Sequence, residues 1–200
     1  MRADITVVTP SIPPRACPGG LLDQAIISVR DQALQPTGGH VVVLDVDKAG
    51  AAVTRQRALD TVRTKWVAFL DDDDFFYPNH LALLYDMVTG VDGVYAYSWF
   101  DGNNPFPAHR GRGMDIDNPH HTTMTVLVRT DIAQTAGFLQ PDGPLHQEWS
   151  GEDWQFELRC LDEIKRRWPD RPNDRVIGTS TVTWHYRVHG GNTSGLPSRW

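Results

Sequence analysis

A short apolar segment that runs directly into four consecutive acidic residues constrains the fold of this chain more than any other feature. Residues 66–70 are apolar, and residues 71–74 are all aspartate. The apolar run is short and bounded by charge at both ends, which predicts a strand buried on both faces rather than a helix. Because ligands of open α/β sheets bind beyond the carboxyl ends of the strands, we expect the four acids at a ligand-binding edge.

The four adjacent carboxylates repel one another, so a cation is expected to offset them. Mg²⁺ and Mn²⁺ are hard ions that take oxygen ligands, and either would suit such a cluster. Alternate residues at the end of a strand share one side, which favours Asp73, and then Asp71, as metal ligands. The alternative is a solvated acidic turn that caps the next helix, because aspartate is common in turns and at helix starts.

Composition restricts the class of protein. The chain of 200 residues suits one domain, and its net charge of −6 argues against non-specific binding to nucleic acid. No apolar run approaches the roughly 20 residues of a membrane span, and strand-like residues follow closely after Met1, so no signal peptide is expected. Cys17 and Cys160 are too few for a disulfide framework, which predicts reduced thiols in a cytoplasmic protein, with a disulfide as the alternative.

Apolar residues in the first half alternate between strand-like runs and helical spacing. Strands are predicted over Ile5–Val8 and Val41–Leu44, and helices over 22–35 and 52–62, before the strand that precedes the acids. This β-α-β-α-β order predicts a parallel sheet with right-handed crossovers.

The second half combines further helices and strands with two long polar segments. The predicted elements are, in order, a helix over 81–88 ending at Gly90, a strand over Val94–Ser98, a strand over Thr122–Val128, a helix over Thr130–Ala136 with Thr130 as its N-cap, a helix over Trp154–Lys165 and a strand over Val176–Val188. The polar segments span 101–121 and 140–151. The first is predicted to be a binding loop or lid, with a disordered surface loop as the alternative.

Five segments of the chain together resemble family 2 glycosyltransferases with the GT-A fold. They are Thr9-Pro10-Ser11, Ala49 to Arg57, Phe69 to Asp74 with Pro78, Ala136-Gly137-Phe138, and Gly151 to Trp154 followed by Arg159. Each segment alone has little specificity, and their order and spacing across residues 5–194 carry the resemblance. The chain departs from the family pattern at Gln56, where asparagine is usual, and in the proline-rich segment 12–18.

The resemblance implies an α/β fold, namely a single Rossmann-like domain of the GT-A type over 1–200. Its mixed, mainly parallel central sheet would be flanked by helices. Residues 1–98 would form the nucleotide-sugar-binding half, and residues 99–200 the acceptor and catalytic half.

The predicted donor-binding residues, drawn partly from the resemblance and partly from side-chain chemistry, are Pro10, Asp45, Arg55, Asp71, Asp72, Arg187 and Trp154. Asp45 would contact the nucleoside, and Arg55 a donor phosphate or the nucleobase. Arg187 is a candidate clamp for the diphosphate, because a guanidinium matches phosphate geometry, and a salt bridge to the acids is its alternative. Trp154 could stack on a sugar or a base, although aromatic residues more often belong to the core.

The predicted metal site combines Asp73 and Asp71 with a histidine that the resemblance implies. His185 on the last strand is similar in position to a third metal ligand of GT-A relatives, and His189 is the competing candidate. A hydrogen-bonded structural histidine is the alternative for either. Asp72 and Asp74 are predicted to hold the ribose or to cap the following helix.

The resemblance implies that Asp153 is the catalytic base, with Glu152 as the competing candidate. A base must take the proton of the acceptor hydroxyl as it attacks the anomeric carbon. The dipole at the start of the predicted helix favours the ionised, proton-accepting carboxylate. The alternative is that both acids only cap the helix.

The resulting hypothesis is a metal-dependent, inverting glycosyltransferase that uses Mn²⁺ or Mg²⁺ and a nucleotide-sugar donor. Its acceptor could be a glycan, a lipid, a protein or a modified nucleic acid. A non-catalytic, metal-dependent glycan- or nucleotide-binding module is one alternative. A nucleotidyltransferase is another, although residues 10–20 make a poor phosphate loop, and a haloacid-dehalogenase-type phosphatase is disfavoured by Phe75 where threonine or valine is expected.

Overall fold

The computed structural model describes residues 1–13, 19–102, 114–119, 125–138 and 151–187. Within these ranges, strands and helices alternate along the first half of the chain, as the apolar pattern predicts. The strands are β1 (Arg2–Ala3), β2 (Ile5–Ser11), β3 (Gln35–Pro36), β4 (His40–Leu44), β5 (Trp66–Phe69), β6 (Phe75–Phe76), β7 (Tyr95–Gly102), β8 (Val126–Arg129) and β9 (Val176–Tyr186). The helices are α1 (Leu21–Arg30), α2 (Ala51–Thr61), α3 (His80–Gly90), α4 (Thr130–Ala136) and α5 (Glu152–Arg167), and a 3₁₀ turn (Asn173–Arg175) precedes β9.

Seven strands form the central sheet in the order β4-β2-β5-β8-β7-β9-β6, and β1 pairs with β3 in a separate two-stranded sheet. The neighbours β4–β2, β2–β5 and β7–β9 are parallel, whereas β5–β8, β8–β7 and β9–β6 are antiparallel. The parallel pairs of β2 with β4 and with β5 confirm the parallel pairing predicted for the first half. Because β2, β4 and β5 run in the same direction, the residues that follow them meet at one edge of the sheet.

Strand β5 lies inside the sheet and is buried along its whole length. Trp66 and Ala68 pack into a core with helices α1 and α3, whereas Val67 and Phe69 pack with α2, α4 and α5. A strand covered on both faces is apolar at every position, which is why this segment shows no alternation. Burial of each large side chain contributes about 1.5–3 kcal/mol, so β5 is a stable base for the acids that follow it.

Helix α1 ends at Arg30, five residues before the predicted end at Gln35. Gln32 is buried, and its Nε2 donates to the carbonyl oxygens of Ser28 (3.0 Å) and Tyr77 (2.8 Å). Its Oε1 accepts the N–H of Leu81 at 3.0 Å. The long-range bonds to Tyr77 and Leu81, together with the pairing of β3 with β1, replace the last helical turn that the local spacing favours.

The predicted N-cap of α4 is wrong by one residue. Thr130 is the first residue of the helix, and Arg129 occupies the N-cap position. The reason is that β8 runs directly into α4, so the last residue of the strand, which is extended, must be the cap. Gly137 ends the helix at φ +59°, as its sequence position predicts.

The predicted loop over 101–121 is only partly described. Asp101 and Gly102 belong to β7, and residues 114–119 form a turn around buried Ile116. The remainder of that loop lies outside the described residues, as do residues 139–150, Cys17 and His189. Cys160 is a buried free thiol. None of the described helices is both long and apolar enough to cross a membrane.

Helix α3 begins with a fully buried histidine. The Nδ1 atom of His80 lies 2.8 Å from Oγ1 of Thr183, and its ring stacks on Phe76 with centroids 3.9 Å apart. Burial lowers the pKa of His80 to about 3. His80 is therefore neutral in the folded protein at neutral pH, and charging it there would be costly.

We expect the free energy of unfolding to fall as the pH drops below about 6.5. The unfolded chain protonates His80 near its ordinary pKa, whereas the folded protein does not until about pH 3, so stability is lost between these values. The His80 contribution between pH 7.5 and 5 is about 2 kcal/mol. Urea denaturation at both pH values measures it, and the loss should be smaller in His80→Asn. An equal loss in the variant would contradict this assignment.

Candidate active site

The four aspartates form a turn rather than a continuation of the strand. β5 ends at Phe69, and the N–H of Asp74 lies 3.3 Å from the carbonyl oxygen of Asp71. The alternation expected for a strand end therefore does not apply. The turn instead gathers Asp71, Asp73 and Asp74, and one carboxylate oxygen from each lies within 4.8 Å of those from the other two. We call these three residues the carboxylate cluster.

Asp72 lies apart from the carboxylate cluster. Its Oδ2 accepts a hydrogen bond from the hydroxyl of Ser11 at 2.6 Å, and both side chains are buried. The carbonyl oxygen of Ser11 also accepts the N–H of Asp45 at 2.7 Å. Ser11, the last residue of β2, therefore joins the ends of three neighbouring parallel strands at one edge of the sheet.

The carboxylate cluster carries more negative charge than its surroundings offset. Burial and the charges of Asp71 and Asp73 raise the pKa of Asp74 well above its ordinary value. The backbone N–H of Arg187 donates to Oδ1 of Asp74 at 2.8 Å and opposes this only in part. Three convergent oxygen donors with excess negative charge fit a hard divalent cation.

Arg55 joins the carboxylate cluster to the start of α5. Its side chain is only 7% exposed, its Nη2 donates to Oδ1 of Asp71 at 2.5 Å, and its Nη1 donates to Oε1 of Glu152. Burial lowers the pKa of Arg55, but the negative charges of Asp71, Glu152 and Asp153 outweigh burial and raise it above its ordinary value. Both ends of the guanidinium fork are thus held by carboxylates.

Asp45 shapes the turn that leads into α2, the helix of Arg55. Its two carboxylate oxygens accept the N–H groups of Ala49 (2.7 Å) and Gly50 (2.9 Å). Gly50 has a φ of +93°, which a residue with a side chain rarely adopts. The carboxylate predicted to contact a nucleoside therefore also supports the local backbone.

The first turn of α5 carries both acids proposed as catalytic. Oδ1 of Asp153 accepts the N–H of Trp154 at 2.8 Å, and Trp154 is half-buried in the same turn. A Cβ atom on Gly151 would lie 2.2 Å from Oδ1 of Asp153, so only glycine allows this close approach. The helix begins at Glu152, two residues earlier than predicted.

Three phenylalanines link the end of β5 to α5. Phe156 stacks on Phe138 with centroids 4.2 Å apart, and both rings make edge contacts with Phe69 at 5.4–5.5 Å. Such aromatic pairs contribute about 0.5–1.5 kcal/mol beyond the area they bury. We call these three residues the aromatic cluster. The sequence signal that could have indicated it is the position of Phe69 and Phe156 within three residues of the acidic motifs.

Two polar side chains hold the Ala136-Gly137-Phe138 segment against the aromatic cluster. Oε1 of Gln56 accepts the N–H of Phe138 at 2.7 Å, and Nε of Arg159 donates to the carbonyl oxygen of Ala136 at 2.8 Å. Gln56 is the residue that departs from the family pattern, and in this chain it has a defined structural contact. The sequence analysis assigned it none.

His185 is not part of the carboxylate cluster. Its Nδ1 lies 2.7 Å from Oδ1 of Asp101, and its ring stacks on Phe75 with centroids 4.8 Å apart. The hydroxyl of Tyr77 donates to the other oxygen of Asp101 at 2.6 Å. Asp101 was missed by the sequence analysis because its partners are 24 and 84 residues away along the chain.

Arg187 contacts the carboxylate cluster, and Pro10 lies at the end of β2. The guanidinium of Arg187 sits over the ring of Phe75 at 5.4 Å, and its Nη2 donates to Gln24 at 2.9 Å. Pro10 is the residue of β2 before Ser11 and is paired with Val43 of β4. Arg187, Pro10, Asp45 and Asp72, four of the predicted donor-binding residues, therefore lie in the same region as Asp71.

Comparison with known proteins identifies the family. The profile described as Glycosyl transferase family 2 matches residues 24–139, which is more than half of the chain. The chain belongs to glycosyl transferase family 2. No curated protein matched it in a search by sequence.

Solved structures show that this family 2 chain has the GT-A fold. Residues 1–349 of TarS from S. aureus, in complex with UDP-GlcNAc, superpose with a TM-score of 0.71 at 16% identity, covering 94% of this chain and 59% of that one. The mannosyltransferase PcManGT from Pyrobaculum calidifontis, with GDP-Man and Mn²⁺, gives 0.63 at 13% identity, covering 96% and 59%. Glucosyl-3-phosphoglycerate synthase from Mycobacterium tuberculosis, with Mn²⁺, UDP and glucosyl-3-phosphoglycerate, gives 0.57 at 14%, covering 92% and 72%.

The family 2 chain spans 59% of the length of the TarS and PcManGT chains that it resembles. The match extends over nearly all of this chain, so it includes the strands and helices that carry the carboxylate cluster and the start of α5. At these identities the likeness establishes the fold alone.

Removal of the Phe156 ring should destabilise the folded protein. Phe156 is fully buried between Phe138 and Phe69, so Phe156→Ala leaves a cavity and is expected to lower the free energy of unfolding by about 3–5 kcal/mol. Val91 is 58% exposed, and Val91→Ala should change stability by less than about 0.5 kcal/mol. Urea denaturation of both variants measures the difference, and similar effects would show that the aromatic cluster is not a core element.

Proposed function

We propose that this chain is a metal-dependent, inverting glycosyltransferase that transfers a sugar from a nucleotide-sugar donor to an acceptor hydroxyl. The observation that carries the proposal is the carboxylate cluster, joined by Arg55 to Glu152, the residue that precedes Asp153 at the start of α5. Family membership and structures of relatives that hold UDP-GlcNAc, or GDP-Man with Mn²⁺, support it.

The carboxylate cluster would hold Mn²⁺ or Mg²⁺. A bound divalent ion would offset the negative charge that develops on the departing diphosphate. Arg187, which lies beside the cluster through its bond to Asp74, would bind the diphosphate directly, because its planar guanidinium matches phosphate oxygens. His185 is left out of this assignment because it lies outside the cluster and is bonded to Asp101.

The nucleoside of the donor would bind where β2, β4 and β5 end. Asp45 and Asp72 are held at this edge by their common partner Ser11, so one nucleoside could contact both acids. We assign Asp72 to the ribose and Asp45 to the nucleobase side, with Pro10 next to them. Trp154, half-buried in the first turn of α5, would pack against the sugar.

Asp153 would act as the base. The acceptor oxygen forms its bond to the anomeric carbon as the bond from that carbon to the diphosphate breaks, and Asp153 takes the hydroxyl proton. Attack opposite the leaving group inverts the anomeric centre. Asp153 lies in the first turn of α5, where the helix dipole favours the ionised carboxylate. Glu152 is the weaker candidate, because Arg55 already occupies one of its oxygens.

Donor binding should depend on the metal and on Asp73. A panel of nucleotide sugars, including UDP-GlcNAc and GDP-mannose, is screened for thermal stabilisation with Mn²⁺ and with excess chelator. At a donor concentration 100-fold above its Kd, binding stabilises the folded state by about 2.7 kcal/mol. Asp73→Asn should abolish this stabilisation but remain folded, because it removes a repelling charge, while the exposed control Asp86→Asn should retain it. Full stabilisation of Asp73→Asn by donor would contradict the metal assignment.

Asp153→Asn should lower turnover by about 10²-fold or more, the range typical for loss of a general base. Donor binding and thermal stability should be unchanged, because asparagine keeps the size of the side chain and its bond to the N–H of Trp154. Glycosyl transfer and donor hydrolysis are measured in parallel with Glu152→Gln. Normal turnover of Asp153→Asn would refute its role, and wild-type binding without any turnover would favour a non-catalytic binding module.

A further inference from the structure

Arg55 lies beneath two acids that come from distant parts of the chain. Asp71 follows β5 and Glu152 opens α5, and the side chains of both are about one-third exposed (34% and 37%). The Arg55 side chain between them is 7% exposed. The guanidinium therefore supports the two carboxylates from the protein interior.

The contacts of Arg55 leave it poorly placed to touch a donor. One terminal nitrogen donates to Asp71 and the other to Glu152. A planar guanidinium can hold two carboxylates at a defined separation, whereas a lysine ammonium is a point charge on a flexible stem and cannot hold that geometry. Arg55 thus provides a polar link between the carboxylate cluster and the first turn of α5.

We infer that Arg55 is a positioning residue that sets the place of Asp153 relative to the carboxylate cluster. It acts through Glu152, the residue before Asp153, and through Asp71, the residue that opens the cluster. This inference rests on the proposed function, because it concerns the geometry of transfer. It replaces the expectation that Arg55 binds the donor, and it predicts a defect in kcat rather than in donor affinity.

Helix α2 offers a matched control two residues away. Arg57 also binds a carboxylate with both terminal nitrogens, which donate to the two carboxylate oxygens of Asp47 at 2.8 and 2.7 Å. This ion pair is about half exposed. Arg57→Gln therefore removes the same residue type and the same kind of ion pair from the same helix. It leaves the link between the carboxylate cluster and α5 intact.

The experiment compares Arg55→Lys, Glu152→Gln, their double variant and Arg57→Gln. Arg55→Lys should keep the Kd for donor with Mn²⁺ within about 3-fold of wild type but lower kcat at least about 10-fold, since one link is lost while charge remains. Glu152→Gln should lower kcat to a similar extent. The double variant should be no worse than the more impaired single variant, because both changes weaken the same charge-assisted link. Arg57→Gln should match wild type.

Amide hydrogen exchange provides a readout that does not depend on turnover. Residues 152–156 should exchange faster in Arg55→Lys than in wild type and Arg57→Gln, because the first turn of α5 loses a tether. Glu152→Gln keeps the bond between Arg55 and Asp71. If Arg55→Lys does not fold, kcat and amide exchange are compared between Glu152→Gln and wild type instead.

Several outcomes would overturn the inference. A donor Kd raised 10-fold or more with unchanged kcat in Arg55→Lys would make Arg55 a donor contact. Additive losses in the double variant, or unchanged kcat and exchange in Glu152→Gln, would also reject positioning. Absence of turnover in the wild-type protein with every donor would instead reject the proposed function, and the inference with it.

Discussion

The structure depends on how the protein accommodates several buried carboxylates after one strand. Asp72, Asp73 and Asp74 are all less than 10% exposed, and burial, together with the charges of Asp71 and Asp73, raises the pKa of Asp74. Burying charges without partners is costly, and loss of one partner from a buried ion pair typically costs about 3–5 kcal/mol. Ser11 and Arg55 each hold one member of the turn and thereby tie it to β2, α2 and α5.

Aromatic packing also holds the start of α5 next to the turn that carries the acids. The aromatic cluster holds α5 against the end of β5, while Gln56 and Arg159 hold the backbone around Phe138. Because the polar links and the aromatic contacts reach the same helix, the acids of its first turn are held from two directions. A catalytic group needs this kind of support, since displacement by about 1 Å can reduce a rate 10²-fold.

Most of the fold follows from local patterns in the sequence. Apolar spacing predicts the strands and helices of the first half. A strand buried on both faces is a continuous apolar run, whereas an amphipathic helix has apolar residues every three to four positions. The end of α1 is an exception, since the bonds of Gln32 to Tyr77 and Leu81 come from residues more than 40 positions away. The order of the strands in the second half also depends on such long-range pairing.

The sequence by itself determined which residue types meet at the functional edge, since parallel strands must end together and the acids follow one of them. Only the tertiary structure decided their partners. It brought Asp74 into the carboxylate cluster through a turn, turned His185 towards Asp101, and placed Arg55 beneath Asp71 and Glu152. These contacts join residues up to 97 positions apart, and they depend on side-chain direction, which local spacing does not encode.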